Sequence, residues 1–284
     1  MTNPNHNILG PKVLLEGPSG TGKTHALGTL VEWAASQTPP IEVFVLFTEN
    51  GLETLLGFWR DQEKEIPKNL RYHSTVTRPL GLTNLLDAAD KVGKLSYESI
   101  TKMVDPNRSG ENNAFYKILQ ACANFPDDRT GEKFGPVDSW GADRIFAIDS
   151  LSELANASMK MVIGNKPTAA PSDYGVAQNN LMNFLRLCTQ GIRATFALTA
   201  HVDRQQDEIT GGIKLMTKAV GKAMANDIPQ LFSDVIYTVR EGGKFYWDTA
   251  AGNVDVKTRN LPIAAKQTPD FALIMNKWKV RNGL

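Results

Sequence analysis

Short apolar runs alternate with amphipathic segments along much of the chain. Lys12 to Glu16 is an apolar run that ends in a glycine-rich turn, and the residues after Lys23 repeat their apolar positions with helical spacing. Pro39 and Pro40 stop this helix, and IEVFVLFTEN follows as the continuous β-branched and aromatic run that is typical of a buried parallel strand. The pattern therefore predicts a strand, a loop, a helix and a second strand.

Two later runs have the same form, RIFAIDS at Arg144 to Ser150 and ATFALTAH at Ala194 to His201. Helical segments such as NNLMNFLRLCTQG lie between them, and this alternation predicts a mostly parallel sheet with helices on its faces. After Ser233 the runs DVIYTVR, GKFYWDT and NVDVKTR alternate apolar with polar residues and are joined by EGG and AAGN turn signals. We expect a C-terminal antiparallel meander that extends the sheet.

The sequence between Arg78 and Gly141 is polar and interrupted. LTNLLDAADKVGKL and NAFYKILQACANF have helical patterns, whereas DPNRSGENN and PDDRTGEKFGP have the composition of loops. We expect a partly helical, partly mobile insertion at about residues 78 to 141. Because no internal repeat or long linker divides the chain, residues 1 to 284 are predicted to form one α/β domain.

The composition excludes several classes of protein. With 284 residues, of which 42% are hydrophobic and 21% charged, the chain can bury a full core, which argues against disorder throughout. The N-terminus has no basic patch followed by an apolar stretch, and no apolar run is long enough to cross a bilayer, so we expect an untargeted cytoplasmic protein. The spacing of Cys122, Cys188 and the histidines indicates neither a disulfide framework nor a zinc site. A net charge of +1 leaves any nucleic-acid contact to a local patch.

The turn after the first strand matches the pattern G-x-x-x-x-G-K-[ST]. Its sequence, GPSGTGKT, contains glycines that let successive N–H groups turn inward, and the next helix directs its positive end to the same point. Lys23 is expected to reach the β- and γ-phosphates of a nucleotide, and the Thr24 hydroxyl to ligate magnesium. The position of the motif GPSGTGKT between a predicted strand and a predicted helix favours a phosphate loop over a chance glycine turn. The predicted nucleotide-binding residues are Gly17, Pro18, Ser19, Gly20, Thr21, Gly22, Lys23, Thr24 and His25.

Three further polar residues follow predicted strands. Asp149 ends the run RIFAI and is the predicted second magnesium ligand, with a helix N-cap as the alternative role. Glu49 follows VLFT and is the predicted base for the attacking water, with a capping or solvated role as the alternative. His201 follows TFALTA and is predicted to contact the γ-phosphate, unless it is an ordinary surface or core histidine. Together with Lys23, Glu49 and His201 form the predicted catalytic set.

The order of these motifs resembles that of the RecA-like core ATPases over nearly the whole chain. The resemblance rests on GPSGTGKT, FTENG, IFAIDS, LTAH and the terminal VKTR. Within this family it points to the phage recombination and single-strand-annealing ATPases, through FTENG, AHV and DIPQLFSDVIYTV. The resemblance implies a RecA-like P-loop fold, ATP as the nucleotide, and activation of water by Glu49. The absence of an N-K-x-D segment argues against a GTPase.

The resemblance also implies self-association into a ring or filament. Lys257 and Arg259 form a Lys-x-Arg pair, and related proteins insert such a pair into the nucleotide site of the neighbouring subunit as a trans-acting finger. Two cations there could neutralise γ-phosphate charge only if another subunit brings its ATP to them. A solvated charge pair on an edge strand is the alternative.

The segment after His201 is the predicted DNA-binding region. Lys214, Lys218 and Lys222 are spaced four apart, so they would share one face of a helix. In RecA-like proteins the loop at this position contacts single-stranded DNA, and the resemblance makes these lysines and Arg204 candidates for phosphate contacts. A solvated helical face is the alternative, and no aromatic platform for base stacking is evident.

Together these features predict an ATPase that acts on single-stranded DNA in phage-type recombination, annealing or replication and is stimulated by DNA. Its predicted cofactors are ATP and Mg²⁺, and its predicted partners are single-stranded DNA and further copies of the chain, without a membrane. The alternatives are a non-catalytic, ATP-dependent oligomeric scaffold and a helicase or packaging motor. If the protein is encoded by a phage, the expected compartment is the bacterial host cytoplasm.

Overall fold

The computed structural model describes residues 9–76, 82–96, 98–99, 113–164, 169–206 and 211–284. The strands of these residues are β1 (Lys12–Glu16), β2 (Glu42–Phe47), β3 (Leu70–Ser74), β4 (Arg144–Asp149), β5 (Thr195–Ala200), β6 (Val202–Gln206), β7 (Ile213–Thr217), β8 (Asp234–Glu241) and β9 (Lys244–Asp248). The helices are α1 (Lys23–Ala35), α2 (Leu52–Arg60), α3 (Leu82–Gly93), α4 (Ala114–Ala123), α5 (Leu151–Ile163), α6 (Pro171–Arg186), α7 (Gly221–Asp227) and α8 (Phe271–Arg281).

The central sheet has seven strands in the order β3-β2-β4-β5-β1-β8-β9. Neighbouring strands from β3 to β8 pair in parallel, and β8 pairs with β9 in antiparallel orientation. The carboxyl ends of β1, β2, β4 and β5 therefore meet at one edge of the sheet, where ligands bind in open α/β sheets. This topology, with helices packed against the sheet, confirms the predicted RecA-like P-loop α/β fold.

The sheet is buried on both faces, because side chains along each strand point alternately to opposite sides. Leu14, Phe44 and Phe146 belong to the core beneath α4, α5 and α6. Val13 and Val45 belong to the second core, which includes residues of α1, α2 and α8. The continuous apolar character of β1, β2, β4 and β5 follows from this two-sided burial. None of the helices in the described residues combines the length and apolarity needed to cross a bilayer.

The predicted third strand of the C-terminal meander is wrong. NVDVKTR forms isolated bridges, of Val254 with Leu215 and of Lys257 with Val235, instead of a continuous ladder. The backbone N–H groups of Arg259 and Asn260 donate to Asp234 Oδ1 at 2.8 and 2.7 Å. Because a side-chain carboxylate takes these two donors, strand pairing does not continue past this point.

The predicted helical stripe after His201 is also wrong. The segment forms an antiparallel hairpin of β6 and β7, in which Val202 pairs with Thr217 and Gln206 with Ile213. Lys214 lies in β7, Lys218 follows that strand, and Lys222 lies in α7, so the three do not share a helix face. Tertiary contacts override the helical spacing here, since the adjacent residues Leu215 and Met216 are both buried.

The predicted insertion contributes to the main core at its C-terminal end. The predicted helices LTNLLDAADKVGKL and NAFYKILQACANF contain α3 and α4. Phe125, Val137 and Trp140 are buried in the same core as Phe146. The loop DPNRSGENN lies outside the described residues apart from Asn113. A single domain with a partly mobile insertion stays a prediction.

Candidate active site

The phosphate loop connects β1 to α1 through two glycines with positive φ. Gly20 has φ 74° and Gly22 has φ 85°, a left-handed conformation that strains other residues. Gly17 meets a different constraint, because a β-carbon there would lie 2.7 Å from the carbonyl oxygen of Thr238. The spacing of these glycines therefore matches the backbone that the loop adopts.

Hydroxyl groups brace this loop from β8. Thr21 Oγ1 lies 2.7 Å from Thr238 Oγ1 and donates to the carbonyl of Pro18 at 2.8 Å. Thr238 Oγ1 also donates to the carbonyl of Glu16 at 3.2 Å. The sequence gives no sign of this role for Thr238, because the pairing of β8 with β1 joins residues far apart in the chain.

Lys23 is buried beneath the loop. Its Nζ donates to the carbonyls of Gly17 and Pro18 at 2.8 and 2.7 Å. Burial lowers the pKa of Lys23 to about 8, while the carboxylates of Asp149 and Glu49 act in the opposite direction. Two carbonyl partners and a low-dielectric setting make this ammonium a strong site for an anionic ligand.

Thr24 and Asp149 meet at the carboxyl edge of the sheet. Thr24 Oγ1 donates to Asp149 Oδ2 at 2.8 Å, and Thr199 Oγ1 donates to Asp149 Oδ1. Burial raises the pKa of Asp149, and the hydroxyls of Thr199 and Thr24 oppose that shift. Mg²⁺ prefers oxygen ligands and commonly takes one or two protein carboxylates together with substrate phosphates. The adjacent hydroxyl and buried carboxylate fit such an ion.

A pair of hydrogen bonds ties the end of β2 to the end of β4. Thr48 Oγ1 donates to the carbonyl of Ser150 and accepts from the Ser150 N–H, each at 2.8 Å. The Thr48 N–H donates to the Asp149 carbonyl, also at 2.8 Å. These contacts hold Glu49, the next residue, beside Asp149. Sequence reasoning missed the positioning roles of Thr48 and Thr199 because threonine is common in strands.

Glu49 and His201 form a contact across the mouth of the site. Glu49 Oε1 lies 3.6 Å from His201 Nε2, and both side chains are partly exposed. This histidine contact lowers the pKa of Glu49, and burial opposes the shift. Glu49 is therefore ionised near neutral pH, as a base or a water-orienting group requires. Both residues line a cavity of about 520 Å³ with the phosphate loop.

Aromatic rings surround the first turn of α1. The His25 ring lies 4.8 Å from Phe58 and 5.6 Å from Phe245, centroid to centroid. Burial lowers the pKa of His25, and the charge of Asp61 opposes that shift. A β-carbon on Gly22 would approach the Phe245 ring to 2.6 Å. Gly22 is therefore required for two reasons, its left-handed backbone conformation and its close packing against Phe245 of β9.

The structure does not bring the predicted DNA-contact residues onto one face. Arg204 pairs with Leu215 in the β6–β7 hairpin, so these two side chains share one face of the hairpin. Lys214, the residue before Leu215, lies on the opposite face. Lys214 Nζ forms an ion pair with Asp255 Oδ1 at 3.1 Å. The side chains of Arg204, Lys214, Lys218 and Lys222 are all exposed.

Lys257 and Arg259 lie at the opposite edge of the sheet from the phosphate loop. Lys257 pairs with Val235 near the start of β8, which runs parallel to β1. Lys257 Nζ donates to the carbonyl of Phe232 at 2.7 Å, and both members of the pair are exposed. Together with Arg281 they line a cavity of about 690 Å³. The pair is thus separated from the phosphate loop by the length of β1.

No protein-family model matches the sequence, and no curated protein matches it. A solved structure that does match is an ATPase of the type III secretion system of pathogenic bacteria, with 14% sequence identity and a TM-score of 0.40. The match covers 82% of this chain and 53% of that chain, so the present chain spans about half the length of the secretion ATPase.

Proposed function

We propose that this protein is a magnesium-dependent ATPase that assembles on single-stranded DNA in phage-type recombination, annealing or replication. The observation that carries the ATPase proposal is the 2.8 Å contact of Thr24 with Asp149, directly beside the buried Lys23 and the phosphate loop. The resemblance to the RecA-like phage ATPases supports the choice of ATP and of DNA.

Each residue of the site has one role in the proposed reaction. Backbone N–H groups of the loop bind the phosphates, and the Lys23 ammonium replaces its carbonyl partners with oxygens of the terminal phosphates. Thr24 and Asp149 would hold magnesium, which supplies charge neutralisation on the phosphates. The Glu49 carboxylate orients the attacking water and accepts its proton, and His201, 3.6 Å from Glu49, contacts the γ-phosphate.

The test of catalysis is Glu49→Gln, which keeps the size of the side chain and removes the base. We expect ATP turnover to fall about 100-fold or more, the lower end of general-base effects, with little change in ATP affinity. Glu53→Gln, at an exposed position in the first turn of α2, is the matched control. Undiminished turnover in Glu49→Gln would exclude the proposed base. Retention of biological activity without turnover would favour the non-catalytic scaffold.

The DNA proposal rests on the exposed cations that follow β5. ATP turnover is measured with and without single-stranded DNA, at several protein and salt concentrations. We expect stimulation by DNA that weakens with salt and is reduced in Lys218→Ala/Lys222→Ala. Lys68→Ala/Lys277→Ala, at exposed positions elsewhere, is the control. A specific activity independent of both protein concentration and DNA would refute this proposal, and directional strand displacement or translocation would favour a motor.

We also propose that Arg259 and Lys257 act in the nucleotide site of a neighbouring copy. Their location at the far edge of the sheet supports a role in trans. An Arg259→Ala subunit keeps its own Glu49, and a Glu49→Gln subunit keeps its own Arg259. Mixing the two inactive variants is therefore expected to restore part of the turnover. If the mixture stays as inactive as its components, the trans-acting finger is excluded. The Arg259 variant is preferred because Lys257 Nζ has a structural partner in Phe232.

A further inference from the structure

Glu16 is a buried carboxylate that the proposed reaction does not use. It ends β1 immediately before the phosphate loop and has 0% exposure. Glu16 Oε2 accepts a hydrogen bond from Thr217 Oγ1 at 2.6 Å, whereas Oε1 has no hydrogen-bond partner among the described residues. A buried carboxylate with one oxygen unsatisfied is costly. The other buried charge of β1, on Lys12, is by contrast satisfied, because its Nζ donates to the carbonyls of Ile192 and Ala194 at 3.0 and 2.6 Å.

Thr217 connects Glu16 to the β6–β7 hairpin. It is the last residue of β7, and the next N–H, of Lys218, donates to the carbonyl of His201 at 2.8 Å. The hairpin is held from its other side by the C-terminal segment, where the Leu215 N–H donates to the Asn253 carbonyl at 2.7 Å. Thr217 thus stands where the hairpin approaches both β1 and the His201 side of the active site.

The backbone of Glu16 leads directly into the residues whose carbonyls hold Lys23. Its carbonyl accepts from Thr238, and the next two carbonyls, of Gly17 and Pro18, accept from Lys23 Nζ. Glu16 therefore joins the hairpin contact at Thr217 to the stretch of backbone whose carbonyls hold Lys23.

We propose that Glu16 is a positioning residue that fastens the β6–β7 hairpin to the phosphate loop when it carries a proton and releases the hairpin when it ionises. Through this link, closure of the hairpin and the affinity of the nucleotide site depend on each other. It goes beyond the proposed ATPase function and does not depend on hydrolysis.

The direction of the pH effect follows from burial. Burial raises the pKa of Glu16 from 4.5 to about 7; the Thr217 hydroxyl and Lys214 lower it, and Asp255 raises it. Tyr237 on β8 also faces Glu16, and Arg204 on β6 faces Tyr237. When the hairpin opens, water reaches the carboxyl and its pKa returns toward 4.5. Closure is therefore strongest below about pH 4.5, weakens as the pH rises toward about 7, and is constant above it.

Amide hydrogen exchange in the two strands of the hairpin measures this closure. Protection factors, which are corrected for the intrinsic pH dependence of exchange, are recorded between about pH 5 and 8.5. In the parent we expect protection of Val202–Gln206 and Ile213–Thr217 to fall by up to about tenfold per pH unit and to level near pH 7. Glu16→Gln, which cannot ionise, is expected to abolish this dependence. Glu65→Gln, at an exposed position, is the matched control and should follow the parent.

A second measurement tests whether the link reaches the phosphate loop. Mg-ADP affinity is measured by calorimetry for the parent and Glu16→Gln at each pH. The ratio of the two affinities cancels the titration of ADP itself, and we expect it to change about threefold or more between pH 5.5 and 8. If Glu16→Gln does not fold, Thr217→Val removes the hydrogen bond and should abolish the plateau near pH 7 by raising the pKa of Glu16.

The proposal is overturned if parent protection does not vary with pH, if Glu16→Gln varies as the parent does, or if the affinity ratio is constant. None of these outcomes depends on ATP turnover. Failure of the Glu16 link is therefore distinguishable from failure of the proposed ATPase, which would leave the exchange data unaffected.

Discussion

The phosphate loop and the β6–β7 hairpin both follow strands that end at the same edge of the sheet, but their conformations have different origins. The loop is shaped by its own glycines, with φ 74° at Gly20 and 85° at Gly22. The hairpin is shaped by distant partners, which include Glu16 for Thr217 and Asn253 for Leu215. A segment that encodes its own backbone can be predicted from its residues, whereas one that depends on distant contacts cannot.

The largest effect is expected from Lys23→Ala in the phosphate loop. Removing the ammonium takes away the charge that would face the terminal phosphates, and we expect Mg-ATP to bind at least about 100-fold more weakly, which corresponds to about 2.7 kcal/mol or more. Calorimetry measures the affinity. Lys218→Ala, beside the hairpin, is the control and should bind ATP as the parent does. An unchanged affinity in Lys23→Ala would remove the basis of the nucleotide site.

A hairpin core residue should have the next largest effect. Leu215 is 8% exposed, and Leu215→Ala removes buried methyl groups, so we expect a cost of about 2 to 3 kcal/mol that acts mainly on the hairpin. Hydrogen exchange of β6 and β7 should accelerate more than that of β1. Equal acceleration throughout the sheet would show that the hairpin unfolds with the whole domain and not as a separate unit.

Two glycine substitutions separate backbone strain from crowding within the loop. Gly20→Ala meets no atom within 4 Å but must adopt positive φ, so we expect a cost of about 1 to 2 kcal/mol. Gly17→Ala brings a β-carbon to 2.7 Å from the Thr238 carbonyl, so we expect a cost of about 1 to 3 kcal/mol and displacement of β8 from the loop. Thermal melting gives the stabilities. A Gly17→Ala variant that is more stable than Gly20→Ala would contradict the larger cost that we expect from crowding against Thr238.

The smallest effect is expected at the ion pair of Lys214 with Asp255. Both side chains are about half exposed, at 45% and 44%, and such pairs contribute about 0.2 to 1 kcal/mol in water. Lys214→Ala should therefore lower the melting temperature only slightly, by less than Leu215→Ala. A loss as large as that of Leu215→Ala would mean that the hairpin is held by charge and not by burial.

The sequence predicts the parallel part of the sheet well. β1, β2, β4 and β5 are apolar runs whose two-sided burial leaves a clear pattern. Their shared carboxyl edge explains why the sequence predicts Glu49, Asp149 and His201 near Lys23. The same reasoning missed β3, because its residues LRYHS are mostly half-buried at the sheet margin and carry no continuous apolar signal.

Other features of the site depend on strand order and could not be predicted from residues alone. Thr199 reaches Asp149 because β5 lies beside β4, and Thr238 reaches Thr21 because β8 lies beside β1. Neither threonine has a local pattern that distinguishes it from other strand threonines. The wrong third meander strand has a similar origin, since a single carboxylate, Asp234, takes the N–H groups that a ladder would need.

The separation of Lys257 and Arg259 from the phosphate loop gives the protein two unlike ends, which the proposed trans-acting contact would bring together. A reciprocal contact of this kind would relate two antiparallel copies by a twofold axis, whereas a head-to-tail contact, from one end of a copy to the other end of the next, can repeat. Repetition of that contact must either return to its starting point as a closed circle or continue as a fibre whose two tips differ. In the fibre, the subunit at one tip would present its cations to no nucleotide, and the subunit at the other tip would hold a nucleotide that no cations reach.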